Sequence, residues 1–187
     1  YLGSFGGLAS SPDWSVVGGP GEALLGISVA SAGDTNGDGY ADVIVGAQTF
    51  SNDQAGEGRA LMFMGSPSGL ASSEDWAAES NQEWSGFGGA VASAGDVNGD
   101  GFSDVLVGAR YYDNYQTNEG RVFLYLGAGS GLAPTPAWTA ESNNQWAEYG
   151  WSVADAGDVN GDGYGDLVVG APDYTGGQSA EGRAYVY

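Results

Sequence analysis

At 187 residues and 42% hydrophobic content, the chain is long enough for one or two ordinary domains with a real core. Twenty-four acidic residues against four arginines, with no lysine or histidine, give a formal charge of -20, which excludes electrostatic capture of nucleic acid or of an anionic membrane and leaves cations as the fitting charged partners. No run approaches the ~20 apolar residues that insert across a bilayer, the opening stretch "YLGSFGGLASS" has no basic start or long apolar centre of a signal peptide, and the lack of cysteine excludes disulfides and thiolate metal sites.

In chain order, the first feature is Trp14, which returns as Trp76 and Trp138. The acidic stretch that starts at Asp34 returns at Asp96 and Asp158, and the triplet "EGR" at Glu57 returns at Glu119 and Glu181, each 62 residues apart. Three repeats follow, 1–62, 63–124 and 125–187. Such a period indicates an array of supersecondary units, none able to bury its apolar face alone. Within a unit the local period is two, over Ser28 to Gly33, Asp42 to Ala47 and Arg59 to Gly65, with a weaker fourth strand over Asp75 to Ser80. Glycine, Asn-Gly and Asp-Gly mark the junctions, and no useful helical period occurs.

Four short antiparallel strands per unit predict an all-β fold of β-propeller blades, with the small-residue strand (Ser28, Ala30, Ala32) nearest the axis. Tyr1 aligns with Phe63, Tyr125 and Tyr187, so the chain is expected to open at the end of a third strand, to supply an outer fourth strand around Trp14, and to finish with three strands of a blade. Three blade equivalents do not close a ring, which takes about four to eight. The ring or array is expected to be completed by another copy, through complementary terminal strands, or by further repeats; two copies close six blades, whereas head-to-tail addition gives a filament.

The acidic loop places Asp34, Asn36, Asp38 and Asp42 at positions 1, 3, 5 and 9, with the carbonyl of Tyr40 at position 7. The second loop offers Asp96, Asn98, Asp100, Phe102 and Asp104, and the third Asp158, Asn160, Asp162, Tyr164 and Asp166. An all-oxygen set in a tight loop suits calcium, a hard ion tolerant of irregular geometry, so three Ca2+ sites are expected. An EF-hand would need Glu at position 12, where this chain has Val45, Val107 and Val169 inside β runs. Asp, Asn and Gly also make good turns unaided, but three loops with one ligand set point to metal. Bare carboxylates at this spacing repel by roughly 1 to 4 kcal/mol per pair, a repulsion that calcium removes. Sites of roughly 0.1 to 1 mM affinity belong to extracellular modules, hence an extracellular or cell-surface location.

The stretches "FGGAVASAGDVNGDGFSDVLVGAR" from Phe87 and "YGWSVADAGDVNGDGYGDLVVGAP" from Tyr149 resemble the FG-GAP repeat of integrin alpha subunits and of many bacterial surface proteins. The name-giving residues are Phe87-Gly88 and Gly170-Ala171-Pro172, while the first repeat has Leu25-Gly26 and Gly46-Ala47-Gln48 in their places. The resemblance implies a propeller with calcium in the hairpin between the first two strands of each blade, and an adhesive or scaffolding role.

Without His, Cys or Lys, and with its carboxylates engaged in a repeated cage, the chain is not expected to be an enzyme; carboxylate-only glycosidase chemistry is the remaining catalytic route. A protein or glycan ligand is expected instead. The glycan alternative is a lectin-type propeller with sites beside Trp84 and Trp146, in "ESNQEW" and "ESNNQW", set against the blade-to-blade packing usual for tryptophan. The first repeat has "VGGPGEA" at Val17 to Ala23, so no such site is expected there. Arg59, Arg121 and Arg183 are expected to pair with carboxylates across blades.

Overall fold

The computed structural model describes residues 3–4, 7–19, 24–179 and 181–187. Two sheets have four antiparallel strands in sequential order: β3 (Leu25–Gly33), β4 (Asp42–Ala47), β5 (Arg59–Phe63) and β6 (Trp76–Glu79), then β7 (Phe87–Gly95), β8 (Asp104–Ala109), β9 (Arg121–Tyr125) and β10 (Trp138–Glu141). A third sheet has β11 (Ser152–Gly157), β12 (Asp166–Ala171) and β13 (Arg183–Val186). The expected blades are present, and β7, from the small-residue strand set, lies against both β3 and β11.

The start of the chain differs from expectation. Gly3–Ser4 (β1) and Gly7–Leu8 (β2) pair antiparallel, and no strand forms at Trp14; Tyr1, the expected strand end, lies outside the described residues. A strand needs a ladder partner, and no strand among the described residues pairs with residues 14–17. Trp14 nevertheless packs as an outer-strand tryptophan does. Its ring meets Phe63 edge-on at 4.9 Å, as Trp76 meets Tyr125 at 4.8 Å and Trp138 meets Tyr187 at 5.0 Å. Trp14 Nε1 donates to the Ala71 carbonyl at 2.8 Å, and Trp76 Nε1 to that of Ala133 at 2.9 Å.

The core lies between blades. Ile44, Ala60, Met62 and Trp76 of the first blade join Phe87, Val91, Val105 and Phe123 of the second, and Leu106, Val122 and Leu124 join Tyr149, Leu167 and Val169 of the third. Backbones meet where these motifs cross. A Cβ on Gly46 would lie 1.9 Å from the Gly88 carbonyl oxygen, and one on Gly58 would lie 2.1 Å from that of Phe87. The Glu57 carbonyl accepts from Phe87 N at 3.3 Å and from the Ser85 hydroxyl at 2.7 Å. The "GA", "EG" and "FG" pairs are therefore three parts of one junction, repeated at Gly108, Gly120 and Tyr149-Gly150.

The arginines correct a second expectation. Arg59 pairs with Glu79 at 3.4 Å and Arg121 with Glu141 at 3.0 Å, each across adjacent strands of one blade, because the β5–β6 and β9–β10 registers set those residues opposite each other. Arg183 lies on β13, which has no fourth strand among the described residues, and it donates to the Tyr174 hydroxyl at 3.1 Å.

Candidate functional site

Antiparallel order puts the three acidic hairpins at one end of the blades. The loops between second and third strands lie at the other end, with the connections from each fourth strand to the next blade.

In the first loop Asp34 is cradled by backbone. Its Oδ1 accepts from Gly37 N at 2.7 Å and Asp38 N at 3.1 Å, and its Oδ2 accepts from Gly39 N at 2.8 Å. Positive φ at Gly37 and Gly39 (74° and 89°) turns those N–H groups inward, which side chains resist and glycine allows. Asn36 Nδ2 donates to Asp38 Oδ2 at 3.0 Å, so positions 1, 3 and 5 are gathered. Asp96 with Asn98 and Asp100, and Asp158 with Asn160 and Asp162, repeat this set. The N–H groups of Gly163 foremost, then Gly161 and Asp162, hold the exposed Asp158 carboxyl below the usual carboxylate range.

Position 9 has a further duty. Asp42 is buried; its Oδ2 accepts from Thr35 N at 2.9 Å and from the Thr35 hydroxyl, and its Oδ1 accepts from Gly65 N at 2.9 Å. Asp104 accepts likewise from Val97 N at 2.9 Å and Gly127 N at 2.8 Å, and Asp166 from Val159 N at 2.7 Å. Burial pushes the Asp104 carboxyl up, against the pull of the Gly127 and Val97 N–H groups, and the charges of Asp100 and Asp96 add to the rise. Among the described residues no three acidic side chains converge into a ready-made metal cluster. Each loop instead gathers two carboxylates and an amide, and adds a buried position-9 carboxylate whose Oδ1 accepts no more than one of these hydrogen bonds and so keeps a lone pair. That hard-oxygen set fits calcium by donor chemistry.

Position 7 supplies a contact that sequence reading missed. A Cβ on Gly37 would lie 2.7 Å from Phe102 Cε1, and one on Gly99 would lie 2.8 Å from Tyr164 Cε1. The aromatic rings of the second and third loops thus lie on the glycine of the loop before. Ser103 N also donates to the Asp34 carbonyl at 2.9 Å, and Gly165 N to that of Asp96 at 2.9 Å. The alternation of aromatic and glycine in all three loops is the signal that could have shown this latch.

The tryptophans fall into two classes, of which only the second lies at the end away from the acidic loops. Trp14, Trp76 and Trp138 pack between blades, whereas Trp84 and Trp146 are 64% and 53% exposed, with φ of 58° and 65°. Trp84 N donates to Ala55 O and Trp146 N to Thr117 O, both at 2.8 Å, which fixes the unusual backbone. Residues 20–23, where the first repeat departs, lie outside the described residues.

Residues 25–61, 87–125 and 149–187 match the FG-GAP repeat. This chain belongs to the FG-GAP repeat family. It is 35% identical over 157 residues to integrin alpha-IIb of Mus musculus and 37% over 160 residues to integrin alpha-V of Gallus gallus, covering 80% of this chain in each case. It is 31% identical over 176 residues to integrin alpha pat-2 of Caenorhabditis briggsae, covering 87% of this chain. The chain spans about 15% of the length of these curated relatives. No helix among the described residues is long and apolar enough to cross a membrane.

Proposed function

We propose that this FG-GAP segment is a calcium-stabilised, non-catalytic module for extracellular adhesion or scaffolding. The observation that carries the reading is the threefold loop in which a backbone-cradled Asp stands beside an Asn and a second Asp, over a buried Asp. Asp34, Asn36, Asp38 and Asp42, with their counterparts in the other two loops, would hold the ions; calcium would supply the positive charge these carboxylates lack. Its relatives named as integrin alpha subunits support the adhesive reading. The test is thermal unfolding in calcium and in chelator. Calcium at about 10 mM is expected to raise the melting temperature by several degrees, since an ion at 100 times a Kd of roughly 0.1 mM adds about 2.7 kcal/mol. Equal melting in both conditions overturns the calcium reading.

The module also associates through its outer blade faces, with another copy or with further repeats. Tyr40 is a position-7 ring with 40% exposure, and Gly161 is a position-4 glycine with nothing near its Cβ direction, so each is half of an unmade latch. By the 62-residue period, residues 14–17 correspond to Trp76–Glu79 and fit the edge of β13 that carries no further strand among the described residues. Native mass spectrometry is expected to show multiples of the 19.0 kDa chain. A monomer at all concentrations removes self-association and leaves the calcium reading intact.

A further inference from the structure

The junction of the first two blades, on the end away from the acidic loops, holds a groove of about 330 Å³ lined by Gln48, Thr49, Gly56, Trp84, Tyr111 and Asn118. We propose that it is a binding site for a neutral saccharide, one or two rings long. The inference rests on the recognition role proposed above but not on calcium.

Three observations carry it. First, the lining residues are themselves uncharged, in a chain of net charge -20. Arg110, a charge beside the lining, is engaged by the Gln48 amide oxygen and by the Tyr111 and Trp151 rings, whereas aromatic faces flanked by amides and hydroxyls match a sugar, which offers apolar C–H faces and a rim of hydroxyls. The volume is at the lower end of the roughly 300 to 1,000 Å³ of small-molecule pockets.

Second, the indole is positioned. Trp84 holds φ 58° and its ring lies on Gly56, where a Cβ would come within 2.4 Å of the indole. The contact on Gly56 and the Trp84 N–H bond to Ala55 O hold this left-handed backbone, which costs a large aromatic residue strain, and leave most of the indole exposed. The polar rim is set as well. With its amide turned so that Oε1 faces Arg110, Gln48 accepts from Nε and Nη2 at 3.1 Å each and presents its NH2 as a donor.

Third, the next junction shows what a groove without this character looks like. There, 62 residues on, Arg110, Glu148 and Asp173 stand in place of Gln48, Gly86 and Tyr111. The Arg110 guanidinium stacks 4.1 Å from the Trp151 ring centre and 4.6 Å from that of Tyr111. By the repeat, the Trp146 counterpart of the groove thus carries charged residues, so the sugar is assigned to Trp84 and not to Trp146.

The test is a titration of the full chain, in calcium, with glucose, galactose, mannose and N-acetylglucosamine and their β-linked disaccharides, followed by 1H–15N spectra. At least one sugar is expected to give saturable shifts at the Trp84 indole N–H and the side-chain amides of Gln48 and Asn118, below about 10 mM. Trp84→Ala is expected to weaken it about tenfold, and Trp146→Ala to change it by less than about twofold. The shift map decides the matter even if Trp84→Ala fails to fold. No saturable shift with any sugar, shifts that map elsewhere, or a peptide library moving these signals where sugars do not, each overturns the assignment. Sugar failure with intact calcium stabilisation condemns only this groove, while loss of both would reach the function itself.

Discussion

Val91 and Val29 occupy the same place in consecutive repeats, yet Val91 is 8% exposed and Val29 is 66% exposed. The first blade covers Val91, and no described blade covers Val29. The same strand is core in one copy and surface in the other, which teaches that a blade's interior is made by its neighbour rather than by its own sheet.

Four measurements would break or sharpen that contrast, all by denaturant unfolding. The largest effect is expected at Phe87, fully buried in the first junction against Phe123 at 5.2 Å. Phe87→Ala should cost about 3 to 5 kcal/mol, and Leu25→Ala, at the same repeat position on the open face, less than half as much. Equal losses would mean that blades stabilise themselves. Next, Val91→Ala should cost about 2 kcal/mol and Val29→Ala no more than about 0.5.

Smaller still is the latch. Gly99→Ala and Gly161→Ala share a positive φ (75° and 78°), but only the first would drive a Cβ into Tyr164. Both lose about 1 kcal/mol to backbone strain, and Gly99→Ala should lose about 1 more; if the two match, the ring does not grip the loop.

The smallest effect is a pH slope. Glu119 is fully buried, and burial pushes its carboxyl above the usual range, partly opposed by the Asn114 N–H. The folded state therefore holds this proton more tightly than the unfolded state does. Its contribution to stability falls as pH rises from the unfolded value of about 4.3 through the raised folded one. Glu119→Gln should flatten that part of the profile and keep the Asn114 N–H bonded, which Glu119→Ala would not.

The four-strand unit and the acid loop were legible in the sequence because both are local. Period-two strands such as Asp42–Ala47 need only their own side chains to be recognised, and Asp34 to Asp42 carry their turn chemistry within nine positions. The junction was not legible, because Gly46, Gly58 and Gly88 are distant in sequence and each looks like a turn residue until their carbonyl contacts are seen. The arginine pairs were read as crossing blades because one-dimensional spacing does not give register, and register places Arg59 beside Glu79. Trp76 and Trp84 could not be separated by residue type; the αL backbone at Trp84 and the fourth-strand place of Trp76 divide them.

The ring-on-glycine contacts run in one direction, each loop holding the one before it. A defect in the Phe102 ring would therefore appear in the loop of Asp34 rather than in its own. Duplicating or deleting a whole unit of 62 residues keeps each ring facing a glycine, but any other change of length at the hairpin tips leaves rings and glycines out of step. Lineages carrying this repeat should thus grow and shrink in whole blades.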